Sequence, residues 1–410
     1  MPFNIALSGL DAASTDLQVT GHNIANAATN GFKQSRAEFA DIYATSIQDV
    51  SATSSGRGVK VTRVAQQFAQ GNIDFTSNNL DLAVNGEGFF VLHDQSGNVS
   101  YSRAGAYGVD RDGYVVNHAG GRLQVFDPVG LGNDTFNTGS TSDLLLPATS
   151  GAPAATGRVV ASFNLSAAES QPTVAPFDPL ASQSYNHSTS TTIYDSLGTS
   201  HVMTMYYVKT AADGEWDTHT YVDGNAVTAG GGASARLTFD SAGAIQLGAG
   251  DVSASGTVAW DSYAPGGGAA DIDLVFDYTT TTQYGTDFSV NNLTQDGYTA
   301  GQLSGVDIDN SGVVFTRFTN GQSTAIGKIA LARFNNPQGL RQEGDSSWTE
   351  TFASGDVQMG EPGNSNLGLV QSGGLENSNV DLAEQLVNLI TAQRNFQANA
   401  QVITTADTIT

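Results

Sequence analysis

Gly21-His22-Asn23-Ile24-Ala25-Asn26-Ala27-Ala28-Thr29-Asn30-Gly31-Phe32-Lys33 ends a helical stretch, and how that stretch is read decides the fold. Working back from it, an apolar residue recurs every seventh position at Ile24, Leu17, Leu10 and Phe3, with Ala27, Thr20, Ala13 and Ala6 between. Steps of three and four residues make a narrow a/d stripe, the seam of a helix that wants a partner helix. Asn4 reads as the N-cap. Thr29-Asn30-Gly31 reads as the stop, because Asn and Gly tolerate the left-handed conformation of a helix C-terminus. The helix is therefore expected to run to about Ala28. Gly21 inside it costs about 1 kcal/mol against Ala, so a close approach by another backbone is expected there.

The partner lies at the far end of the chain. Leu382, Leu389, Phe396 and Ile403 repeat the same period, with Leu386, Gln393 and Ala400 between them. Ser378-Asn379-Val380-Asp381 reads as the capping box that opens this last helix. Leu10, Leu17, Ile24, Leu382, Leu389, Phe396 and Ile403 are thus the candidate assembly seam. The polar faces carry Asn23, Asn26, Asn30, Gln393, Asn395, Gln397, Asn399 and Gln401, neutral amides where a water-exposed helix usually carries Glu and Lys pairs. Small neutral residues suit close packing among many subunits.

Between the helices the pattern is β. Strands are expected at Leu82–Val84, Phe89–Leu92, Val99–Tyr101, Tyr114–Val116 and Leu123–Phe126, separated by Gly- and Asp-rich turns about every ten residues. The same pattern returns over residues 297–370. The fold class read from this is mainly β with α-helical termini, the helices paired as an inner coiled-coil layer and two β domains between them. The second β domain is inserted into the first. The boundaries are residues 1–33 and 375–410 for the helical assembly domain, and 34–74 for a connecting elbow. Residues 75–146 and 296–374 form the first β domain, and 147–295 the second, outer one. Within the elbow, Ser51–Gly58 reads as an exposed loop, and Val59, Val61 and Val64 as a strand.

Composition narrows the function. The 410 residues carry 16 basic and 40 acidic side chains, a formal net charge of −24. Such a chain repels phosphate backbones, which argues against nucleic-acid binding. Its copies repel one another at low salt, so assembly needs large apolar contacts. Residues 150–300 hold 15 acidic and 3 basic side chains, the composition of a solvated domain. There is no cysteine, hence no disulfide scaffold and no thiolate nucleophile. No 18-residue apolar run is present, and the N-terminus lacks the charged and apolar regions of a secretory signal.

No catalytic, cofactor-binding or metal residues are assigned, and an enzyme is not expected. Asp307-Ile308-Asp309-Asn310-Ser311-Gly312 begins like an EF-hand loop, but its twelfth position is Phe318 instead of Glu. Gly86-Glu87-Gly88 has no following helix or Lys-Ser/Thr, so it reads as a hairpin turn. None of the six histidines has zinc-site spacing.

The opening stretch resembles the signature of the flagellar rod and hook axial proteins, an Asn-Asn-Ile-Ala-Asn core followed by Thr-x-Gly-Phe-Lys. His22 departs from the first Asn of that core. Leu375-Glu376-Asn377-Ser378-Asn379-Val380-Asp381-Leu382 with Gln393-Arg394-Asn395-Phe396-Gln397-Ala398-Asn399 is similar to the family's C-terminal signature. Gly86-Glu87-Gly88-Phe89-Phe90, Tyr101-Ser102-Arg103-Ala104-Gly105 and Asn336-Pro337-Gln338-Gly339-Leu340 resemble its shared β domain. The family positions carried over are Asn23, Asn26, Gly31, Phe32, Lys33, Ser378, Asn379 and Asp381. Length and the inserted β domain make the hook type the nearest member. The resemblance implies a structural subunit that self-assembles into a curved tube and acts as a universal joint passing motor torque to the filament. It implies as partners further copies of itself, the flagellar rod, the hook cap, the hook-filament junction proteins and the type III export apparatus. It implies an extracellular place, reached without a cleaved signal, and a natural C-terminus extending past Thr410. The other readings are a distal rod subunit and a secreted monomeric β adhesin or glycan-binding protein.

Overall fold

The computed structural model describes residues 2–42, 56–129, 135–147, 151–364 and 366–409. It is mainly β with one helix at each end, α1 (Pro2–Ala25) and α2 (Leu382–Ile409). The loop expected over Ser51–Gly58 falls largely outside the described residues. Contacts divide the chain into two compact units. One comprises Met1–Ala148, Ser304–Arg317 and Ser323–Thr410, the other Thr149–Leu303 and Phe318–Gln322.

The helix limits differ from those expected. α1 starts at Pro2, so Asn4 lies inside the first turn. Proline suits that start, since its missing N–H would have no helical partner anyway. α1 ends at Ala25, three residues early. The His22 carbonyl there accepts both from Asn26 N (3.2 Å) and from its side chain Nδ2 (2.9 Å). At α2 the cap is Asp381 itself, whose Oδ1 accepts from Ala383 N (2.8 Å) and Glu384 N (3.2 Å). Ser378 stands one turn too early to be the cap, and its Oγ accepts from Val380 N (3.3 Å).

Residues 34–74 are more regular than an elbow. Strands β1 (Ser35–Asp41) and β2 (Val59–Gln66) pair antiparallel from Ser35 opposite Gln66 to Asp41 opposite Val59, with a bulge at Glu38/Phe39. Val59, Val61 and Val64 are in β2 as expected. The Arg, Ala and Glu residues of β1 favour helices. Pairing with the valine-rich β2 overrides that preference.

In the first unit, the large sheet runs in the order Leu303–Ile308, Val313–Phe318, Ser323–Ile329, Arg122–Phe126, Phe89–His93, Val99–Ser102, Ser347–Thr349 and Arg341–Gly344. Segments distant in sequence interleave: Lys328 pairs with Phe126, Leu331 with Phe90, and Trp348 with Tyr101. The run Phe89-Phe90-Val91-Leu92 is apolar throughout because both its faces are covered. Phe90 and Leu92 join one core with Leu82, Val84, Leu123 and Ile329. Phe89 and Val91 join another with Tyr101, Phe334 and Trp348.

The second unit packs a five-stranded sheet, built on His187–Tyr194, Ser200–Lys209 and Glu215–Val222, against a four-stranded one containing Arg158–Asn164 and Ser289–Gln295. Their shared core holds Phe163, Met203, Met205, Tyr207, Trp216, Leu237, Trp260 and Phe276. Trp216 and Trp260 are buried there, and Trp348 in the first unit, so no tryptophan stands on the surface as a platform. His201 ties two turns of the five-stranded sheet together. Its Nδ1 is 2.6 Å from Asp223 Oδ2 and its Nε2 is 3.5 Å from Asp195 Oδ2.

Candidate assembly interface

The two helices lie antiparallel. Near the start of α1, a Cβ on Gly9 would collide with the Asn399 side chain near the end of α2. Near its end, Asn23 Nδ2 donates to Gln385 Oε1 (3.1 Å) close to the start of α2. The close approach is therefore at Gly9. Gly21, where it was expected, is exposed, with open space where its Cβ would be.

The intrachain seam uses part of the expected stripe. On α1 the buried positions are Ala6, Ala12, Ala13, Thr20 and Asn23, while Leu10, Leu17 and Ile24 are half-buried beside them. On α2 Gln385 and Ala392 are buried, and Leu389, Phe396, Asn399 and Ile403 are half-buried. The residues interleaved with Leu389, Phe396 and Ile403 are thus Gln385, Ala392 and Asn399, one position ahead of the expected Leu386, Gln393 and Ala400. Leu382, Leu386, Val387, Ile390 and Val402 consequently stay exposed, as do Phe3, Ile5 and Leu7 on α1.

Where the helices meet the β structure, the terminal motifs knit together. Asn23 holds β1, donating from Nδ2 to Ser35 O (2.7 Å) and accepting Ser35 N at Oδ1 (2.8 Å). Asn379 bridges the other side: Oδ1 accepts from Gln34 N (2.8 Å), and Nδ2 donates to Gln67 O (2.8 Å) and Ala69 O (3.0 Å). Gly31 has φ +69 and donates its N–H to Glu376 O (2.7 Å). A side chain there would strike the Arg103–Ala104 backbone. Phe32 is buried, with the His22 ring tilted against it at 5.4 Å. That contact is what the unexpected His22 makes. Asn26 is half-buried at the end of α1, where Thr29 Oγ1 donates to its Oδ1 (3.2 Å).

At the centre is a buried charge cluster that the sequence pattern did not single out. Glu376 is 0% exposed, Lys33 1% and Arg103 4%. Lys33 Nζ donates to Glu376 Oε1 (2.6 Å) and to Ala69 O (2.9 Å). Arg103 Nη1 donates to Glu376 Oε2 (3.1 Å), and its Nη2 to Gly86 O (2.7 Å). Gly71 N adds a donor to Glu376 Oε1 (2.8 Å). Burial pushes the Lys33 ammonium pKa down, and the Arg103 cation beside it works the same way against the pull of Glu376. Lys33, Arg103 and Glu376 each sat in a family-like motif, and a charge standing among small and neutral residues was the available signal.

This arrangement fastens the terminal segments to the β structure. The EF-hand-like segment turns on Asp309, whose Oδ1 accepts from Ser311 N (2.9 Å), Ser311 Oγ (2.8 Å) and Val313 N (2.9 Å).

Four family models cover most of the chain. They are described as Flagella basal body rod protein (residues 3–33), Flagellar hook protein FlgE/F/G D1 domain (83–150), Flagellar basal body protein FlaE D2 domain (164–298) and Flagellar basal body rod FlgEFG protein C-terminal (371–410). Along its length the chain is 37% identical over 413 residues to the flagellar hook protein FlgE of Salmonella typhimurium, covering 100% of this chain and 98% of that one. The chain belongs to the flagellar hook protein family. The hook protein FlgE of Escherichia coli K12 is likewise 37% identical over 415 residues, covering 100% of this chain and 98% of its own. That of Borreliella burgdorferi is 34% identical over 438 residues, covering 98% and 96%. Among solved structures, the Helicobacter pylori flagellar hook protein FlgE2 shares the fold, with a TM-score of 0.53 at 15% identity over 74% of this chain and 99% of that one. The chain is thus a structural subunit of the flagellar hook, mainly β with helical ends.

Proposed function

We propose that the antiparallel helix pair is the polymerising element of a hook tube. The observation that carries this is the exposed apolar face left after the helices pair. Leu382, Leu386, Val387, Ile390 and Val402 remain in solvent on a chain whose net charge of −24 keeps copies apart. Such a face is stable only against other copies. Leu10, Leu17, Ile24, Leu389, Phe396 and Ile403 fasten the helices within each chain, and the exposed face, Leu382 included, forms a heterologous contact between copies, which propagates as a helical filament when it does not close. In this reading residues 1–33 and 375–410 form the inner wall and 34–74 set its angle to the first β domain (75–146 and 296–374). The second β domain (147–295) gives polar, glycine-rich contacts that exchange as the bent tube turns, since wet contacts are cheaply remade.

The subunit then passes torque as a universal joint and catalyses nothing. Its partners are the rod, the hook cap, the junction proteins and the type III export apparatus, and it leaves the cell without a cleaved signal. The test replaces Leu17 or Phe396 with Asp. Expected is a chain whose β units melt as in the parent but which forms no tubes by electron microscopy. Normal tubes from either variant would overturn the seam.

A further inference from the structure

Arg394 is the sole Lys or Arg of α1 and α2, whose other charged side chains are Asp11, Asp16, Glu384 and Asp407. It is exposed, and its side chain makes no ion pair or hydrogen bond among the described residues. Helix geometry fixes where it stands. Ala392 is buried against α1, and a step of two residues turns the helix by about 200°, so Arg394 points away from α1. Ile390 lies four residues before it and Val387 seven, so both share its face. That is the exposed apolar face left after the helices pair. The cation thus stands inside the surface that meets another copy. Buried there without a counter-charge it would oppose assembly, so the receiving surface has to offer a carboxylate.

Asp16 meets that requirement. It is half-buried on α1, and its carboxylate makes no ion pair or hydrogen bond among the described residues. Burial pushes its pKa up, and no cation pulls it back. Asp16 also borders two cavities beside the helix pair, one of about 220 Å³ and one of about 320 Å³. The larger has small and apolar walls, Gly9, Ala12 and Ala13 on α1 and Phe39 and Val59 on the β1–β2 hairpin. The smaller is lined by the amides of Asn23, Gln34, Gln385 and Asn388. Arg36 borders it too, but its guanidinium is mostly exposed and pairs with Glu38 (3.1 Å). Asp11 and Glu384 are exposed, so water already serves their charges. Asp16 alone of these carboxylates combines burial, room beside it and apolar walls.

We propose that Arg394 of one copy enters the groove of a second copy and pairs with its Asp16, seating Val387 and Ile390 against the walls around Phe39. The contact rests on the hook-subunit reading and names the surface that receives the exposed face of α2. Arg394 points away from α1 while Asp16 lies on α1, so the two halves of the contact are different surfaces. A joined pair of copies therefore keeps one Arg394 face and one Asp16 groove free, and the contact repeats head to tail. Opposite charges at this one place also give direction to copies that a net charge of −24 otherwise keeps apart.

A carbodiimide, which joins a carboxylate directly to an amine, tests the contact. Arg394→Lys keeps the charge and supplies the amine. Isotope-labelled and unlabelled portions of this variant are mixed, polymerised and treated. Expected by mass spectrometry is an amide-linked peptide joining Asp16 of one copy to position 394 of another, absent from monomers and from the variant that also carries Asp16→Asn. Charge removal is the second arm. Arg394→Gln and Asp16→Asn should each raise the critical concentration for polymerisation about tenfold, with monomer melting unchanged, and the two together should do no more than either. Polymers without the link, a link formed within one chain, an unmoved critical concentration, or two effects that multiply to about a hundredfold would sink the contact while leaving the hook reading intact. Unmodified protein that forms no polymer would sink both.

Discussion

Glu376 holds two cations, and losing it leaves both buried. Lys33 and Arg103 would keep carbonyl partners but no counter-charge, and breaking a buried pair from one side costs about 3–5 kcal/mol. Glu376→Ala should therefore lower the melting temperature of the helix-bearing unit by roughly 10 °C, read by circular dichroism. An unchanged melting point would show that the cluster carries no stability. His201 makes a second residue-scale prediction. Burial opposes its imidazolium, but hydrogen bonds to Asp223 and Asp195 outweigh that and lift its pKa above the ordinary value. A histidine raised in the folded state adds stability that is full below its unfolded pKa of about 6.5 and fades as pH climbs through the folded value. His201→Gln should thus be most deficient near pH 6 and approach the parent toward pH 8. A deficit that does not change with pH would leave only a packing role.

At the scale of the element, α2 has two apolar faces with different duties. Ala392→Leu intrudes on the buried seam and should cost about 1–3 kcal/mol by overpacking, seen as earlier loss of helical signal. Leu386→Asp alters only the exposed face, so helicity should be unchanged while polymerisation fails. If both variants lose helicity alike, the two faces have been misassigned. The seven-residue period was legible because Leu389, Phe396 and Ile403 are large and apolar. Which residues stand between them was not legible. Gln385 and Asn399 face the partner as amides, and Asn23 satisfies Gln385 across the seam, so a hydrophobic pattern passes over them to Leu386 and Ala400. β1 was obscured for a related reason, its helix-forming residues being overruled by a partner strand. The strands between Leu82 and Phe126 with their Gly turns were readable, since alternation and turn chemistry are local. The meeting of Lys33, Arg103 and Glu376 is long-range: the lone charge in each motif marks the residue, but nothing local pairs the three.

For the whole molecule, charge sets the conditions of assembly. A surplus of 24 negative charges resists bringing copies together. Screening shortens from about 10 Å at 0.1 M salt to about 3 Å at 1 M. The critical concentration should therefore fall as sodium chloride rises over that range, followed by light scattering. A rise instead would mean that attractive ion pairs dominate the contacts. Lys33 and Glu376 touch across 343 positions of chain, and the unit formed by Thr149–Leu303 and Phe318–Gln322 lies between them in sequence. Closing so large a loop is not much harder than closing a smaller one, because the entropy grows only with the logarithm of length, about 0.6 kcal/mol per doubling. Tens of residues added to or removed from the middle unit barely alter the strength of the clasp at its root. Evolution can accordingly resize or replace that unit without renegotiating the anchor, and an engineer could graft a foreign domain there at similarly small thermodynamic expense.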